Sequence, residues 1–90
     1  MDRSAAETFA LKALAFLAAD GDALLRFLTQ SGLELDDLRD RAGDSDVLAG
    51  VLDFLLGDDA LLTSFAEEER VAPAFAHAAR RALPGAASEI

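Results

Sequence analysis

Between Val47 and Phe65 the chain reads VLAGVLDFLLGDDALLTSF, its densest apolar run, broken once at Gly57-Asp58-Asp59. Val47, Leu48, Val51, Leu52, Phe54, Leu55 and Leu56 recur at three- and four-residue spacing. That puts them on one broad stripe of a helix rather than in the alternation of a strand. Asp44, Ser45 or Asp46 can cap its start, because a short side-chain oxygen accepts from the free backbone N–H groups there. Gly57 is expected to end it in the left-handed conformation, which glycine adopts without a Cβ clash. Asp58 or Asp59 then caps a second helix carrying Leu61, Leu62 and Phe65. So short a break makes a tight helical corner.

The same order occurs earlier. Leu14-Ala15-Phe16-Leu17 precedes Asp20-Gly21-Asp22-Ala23-Leu24-Leu25, as Leu52-Asp53-Phe54-Leu55 precedes Asp58-Asp59-Ala60-Leu61-Leu62. Leu28 then answers to Phe65, and Leu33 to Val71. Any two amphipathic helix pairs look somewhat alike. The kept order of helix, break, acidic cap and helix is what favours a repeat here. Two units are too few for a solenoid, so they should close face to face on one core. The expected fold is all-α: a compact domain of five or six helices in two pseudo-repeated halves.

Ser4-Ala5-Ala6-Glu7 fits a capping box. The first helix should run from there to about Ala19, apolar nearly all round and so central. A second should run from about Gly21 to Ser31 and stop at Gly32. A short third is expected over Leu35–Ala42, with Asp36 and Asp37 in its first turn and Arg39 and Arg41 near its end, as the helix dipole favours. After the central pair, Pro73 suits the first position of a last helix, which Pro84-Gly85 breaks. One domain should fill residues 1–90, with an ordered core over about 4–84 and a frayed tail over 85–90. One feature is locally inconsistent: Glu67-Glu68-Glu69 end the fifth helix, where the dipole disfavours acid.

Ninety residues, 52% of them hydrophobic, suffice for one modest core. No cysteine is present, which removes disulfides and thiolate metal sites. With 17 acidic and 8 basic residues the net charge is −9, which repels nucleic acid and anionic membrane and favours cationic partners or plain solubility. No apolar run reaches the ~20 residues of a membrane span. Asp2, Glu7 and Lys12 spoil a secretory signal at the start, so a cytoplasmic location is expected.

Catalytic and metal motifs are missing. The acids around Asp40–Asp46 have the wrong order for a calcium loop. The single histidine, His77, has no serine or threonine in a nucleophile context. Gly43-Asp44-Ser45 faintly resembles the attachment site of acyl carriers, but Asp46 stands where that site wants an apolar residue. Helix capping is the simpler reading of Ser45.

Several short motifs together resemble a known family. They are Ala13–Ala18 (ALAFLA), Arg26-Phe27-Leu28, Ser31-Gly32-Leu33, Leu38-Arg39, Val51–Leu55 (VLDFL) and Ala79–Leu83 (ARRAL). Their order and spacing are similar to domain-of-unknown-function family 3572, small alphaproteobacterial proteins. The resemblance spans about Phe9 to Leu83. It implies an all-helical, uncharacterised protein and brings no activity or site residue with it.

The expected function is non-catalytic: a protein-interaction or regulatory module without cofactor or metal, monomeric or homodimeric. Its partner should be a basic or amphipathic protein segment. The alternative is a carrier or small-ligand protein using the cleft between its halves. The candidate surface comprises the acids at the two corners, Asp20, Asp22, Asp58 and Asp59, and the arginines Arg39, Arg41, Arg80 and Arg81, with the two signs segregated.

Overall fold

A computed structural model of the chain describes residues 1–84. The tail expected over 85–90 lies outside the described residues. The order is α1 (Arg3–Ala18), α2 (Gly21–Ser31), α3 (Leu35–Asp40), α4 (Ser45–Leu56), α5 (Asp59–Glu69) and α6 (Pro73–Arg81). Among the described residues there is no strand. The all-α expectation holds, and the helix count is six.

The two halves match at a constant offset of 38 residues, α2 with α5 and α3 with α6 starting in register. The corners share two bonds at matched positions. Asp20 N donates to Leu17 O at 3.0 Å, and Asp58 N to Leu55 O at 3.1 Å. Asp20 Oδ1 accepts from Ala23 N at 3.3 Å, and Asp58 Oδ1 from Leu61 N at 3.1 Å. The constant offset corrects one sequence pairing: Phe27, not Leu28, answers to Phe65.

Three local expectations also change. The cap of α1 is Asp2, whose carboxylate accepts from Ala5 N at 2.7 Å, so the Ser4–Glu7 box does not form. Ser45 is the first residue of α4 rather than its cap. Its hydroxyl instead donates to Glu7 Oε2 at 2.7 Å and accepts from Arg3 Nη2 at 2.6 Å, tying the starts of α1 and α4 together. Asp44 is the N-cap residue, but its carboxylate is taken by Arg41 at 3.0 Å. Gly57 has φ −84° and is right-handed, like its counterpart Ala19 at φ −77°. The last turn tightens through Gly57 N bonding Asp53 O and Phe54 O, and the extended residue Asp58 makes the bend, so no left-handed residue is needed.

The core lies where α1 packs along α4, with α6 laid across both. Ala6, Ala10 and Ala13 keep α1 slim on its buried side, while α4 brings Leu48, Val51, Leu52 and Leu55, all buried. Each large side chain so buried is worth about 1.5–3 kcal/mol. α1 is central in its contacts but keeps one face, including Leu11, in solvent. The halves diverge at their third helices. α6 covers the core, whereas the six-residue α3 buries only Leu38 and leaves Leu35 half exposed.

Candidate functional site

Each half lends an aromatic ring to the other. Phe16 of α1 meets Phe65 of α5 with ring centroids 5.2 Å apart, and Phe54 of α4 meets Phe27 of α2 at 5.6 Å. At the 38-residue offset Phe16 corresponds to Phe54, and Phe27 to Phe65, so these are one contact with the halves exchanged. Both contacts floor an open cleft.

The first cleft, between α1 and α5, encloses about 540 Å³. Phe16, Phe65, Ala15 and Ala19 give it an apolar lining, and Lys12, Asp20, Glu68 and Glu69 carry charge at its margin. The second, between α2 and α4, encloses about 230 Å³ and is lined by Phe27, Gln30, Ser31, Gly50, Asp53 and Phe54. All six occupy positions matched in the first cleft, by Phe65, Glu68, Glu69, Lys12, Ala15 and Phe16 respectively. The clefts therefore share one plan and differ in chemistry.

Three acids and one lysine line the first cleft, and one of the acids pairs with the lysine. Lys12 Nζ lies 3.5 Å from Glu69 Oε1, a pair that joins α1 to the last turn of α5. Glu68 and Glu69 sit against the helix dipole there, so helix stability does not account for their placement. Residue 70 adds a second local anomaly: Arg70 ends α5 at φ 60°, left-handed without being glycine.

The acids expected at the corners divide in two. Asp20 and Asp58 are matched N-caps. The N–H of Leu61, helped by Arg26, holds the Asp58 carboxyl below the usual aspartate range. Asp22 and Asp59 are not counterparts, each lying one position from a match. Arg26 joins the corners, reaching Asp58 at 3.2 Å and Asp22 at 3.8 Å.

The expected arginines do not form one basic patch. Arg39 pairs with Asp36 at 3.3 Å and Arg41 with Asp44 at 3.0 Å. The Asp44 hydrogen bond raises the Arg41 pKa further. Arg80 forks onto Asp53 of α4 at 2.6 and 3.2 Å and also donates to Pro84 O at 3.0 Å. Among the described residues Arg81 makes no ion pair. At Arg39, Arg41 and Arg80 positive charge is thus interleaved with acid, against the segregation expected, because two neighbouring acids claim the first two and Asp53 of α4 claims the third.

Sequence reasoning missed Lys12, Phe16, Phe65, Glu68 and Glu69 as a site. The one signal for it was the acidic end of α5. His77 is exposed on α6 and bonds no serine or threonine among the described residues. Among those residues no group of three or more histidines and acids is placed to hold a metal ion. No described helix is long and apolar enough to cross a membrane.

Neither the curated proteins nor the solved structures contain a match to the chain. A family model described as "Protein of unknown function (DUF3572)" matches residues 3–86, nearly the full length that carries the two halves and both clefts, and the chain belongs to that family.

Proposed function

We propose that the protein is a non-catalytic interaction module and that its α1/α5 cleft receives a basic amphipathic helix from a protein partner. The observation that carries this reading is the cleft's composition. Two phenylalanines and two alanines line it, with three acids and a single lysine at the margin. An apolar helix face fits such a groove, and flanking lysines or arginines complement the acids. The net charge of −9 adds a general attraction for a basic segment.

A second reading is a carrier of a small apolar ligand. Its support is the cleft volume of about 540 Å³, within the range of small-molecule pockets. Affinity capture from the native cell, with mass spectrometry of what binds, separates the two. A recurring partner with a basic amphipathic helix, lost when Glu68 and Glu69 are both changed to Gln, supports the module. A copurifying small molecule in place of such a partner overturns it in favour of the carrier.

A further inference from the structure

The two clefts give an internal comparison. Their floors are equivalent rings, so what separates them chemically lies at their margins. Where the first cleft has Lys12 and Glu69, the second has Gly50 and Ser31. An ion pair between the cleft's own two walls belongs to the first cleft alone, since in the second Asp53 is taken by Arg80 of α6.

We propose, building on the interaction reading, that Lys12 is an internal stand-in for the partner's cation and so sets the selectivity of the α1/α5 cleft. Three observations carry this. The ammonium of Lys12 is 3.5 Å from Glu69 Oε1 and comes from the opposite wall of the cleft. Its side chain is 57% exposed and that of Glu69 25%, so the lysine can swing into water while the glutamate stays at the cleft. Glu68 and Glu69 also sit at a helix end that disfavours acid, a local cost that gives way once a cation is seated on them.

An incoming lysine or arginine then exchanges one ion pair for another and releases Lys12 to solvent. A helix without that cation has nothing to offer Glu69 and leaves the internal pair in place. Lys12 therefore moderates affinity for basic helices and leaves uncharged ones unaffected. No covalent step is involved.

The test uses the full chain and two synthetic amphipathic helical peptides of leucine and alanine. One carries lysines beside the leucine stripe, and the other has glutamine in their place. Binding is measured by titration calorimetry and located by NMR at Phe16 and Phe65 against Phe27 and Phe54. Lys12→Gln is expected to tighten the lysine peptide about two- to five-fold, the scale of an exposed ion pair, and to leave the glutamine peptide unchanged. Glu69→Gln should weaken the lysine peptide. Arg81→Gln removes the same charge at α6 and controls for net charge. Equal effects of Lys12→Gln and Arg81→Gln, or equal tightening of both peptides by Lys12→Gln, overturn the stand-in while leaving the interaction reading intact. Failure of the lysine peptide to shift Phe16 and Phe65 in the unaltered protein overturns both.

Discussion

Arg70 holds the left-handed conformation, φ 60°, at the position where Gly32 holds it in the first half, φ 76°. Both residues close an 11-residue helix and turn the chain toward the third helix of their half. Glycine takes this conformation freely, whereas an L side chain crowds the following carbonyl. Arg70→Gly should therefore stabilise the protein by about 1 kcal/mol, and Gly32→Ala should destabilise it by about as much. Urea denaturation of both variants checks this, and the opposite signs follow from one geometric cause.

The corner at Gly57 gives the reverse prediction. Its backbone is right-handed, and Ala19 already occupies the matching position. A Cβ added at Gly57 meets Asp53 O at 3.5 Å and Phe54 O at 3.6 Å, ordinary contact distances. Gly57→Ala should be tolerated and should add about 0.4–1 kcal/mol by restricting the unfolded chain. A large loss of thermal stability would show that the corner needs glycine after all.

Much of this fold was legible because it rests on local rules. Apolar spacing placed all six helices, and short breaks placed the corners. The repeat was visible too, but the aligned A-L-L triplets pulled its register off by one and hid the match between Phe27 and Phe65. The helix starts were less legible. Ser4, Glu7 and Ser45 are competent capping residues, yet Asp2 takes the cap of α1, and the hydroxyl of Ser45 is claimed by α1. Contacts of that kind, between residues far apart in the chain, leave no trace in local pattern. The cleft was hidden for the same reason, since Phe16 and Phe65 read as ordinary core positions until the halves are closed on each other.

Arg80 tests how far a surface arginine can be structural. Its side chain is only 17% exposed, and its guanidinium grips both oxygens of Asp53. Arg80→Ala should cost about 1–2 kcal/mol by freeing α6 from α4. Arg80→Lys should recover little of it, because an ammonium cannot make the same fork. Equal stability of the lysine variant and the unaltered protein would mean that charge alone holds α6.

Asp58 gives a pH dependence of definite sign. Its carboxyl is held below the usual aspartate range, first by Leu61 N–H and then by Arg26. A lowered folded-state pKa means that this group's stabilisation is complete above the unfolded-state value. It is lost as pH falls through the folded-state value, below about pH 4. Asp58→Asn keeps an acceptor for the cap but cannot titrate. Thermal melts across the acid range should therefore fall less steeply for Asp58→Asn than for the unaltered protein, and parallel slopes would remove Asp58 from the account.

The α1/α5 cleft makes a kinetic prediction. Charge at the margin of an interface speeds encounter and fades with salt, whereas apolar contacts set the dissociation rate. The margin acids to test are Glu68 and Glu69, because the third, Asp20, caps α2 and its reversal would unsettle that helix. For a lysine-bearing amphipathic peptide, Glu68→Gln with Glu69→Gln should slow association at low salt and flatten its salt dependence. Phe65→Ala should instead quicken dissociation. Phe65 is buried, and its truncation costs about 3–5 kcal/mol of stability, so retained helical circular dichroism must accompany that result. Half-buried Phe16 is the gentler probe, and Phe16→Leu should quicken dissociation with a smaller loss of stability. Stopped-flow fluorescence of a dye-labelled peptide at low and high salt separates the two rates. Association that ignores both salt and the glutamates would leave the acidic end of α5 without a role in binding.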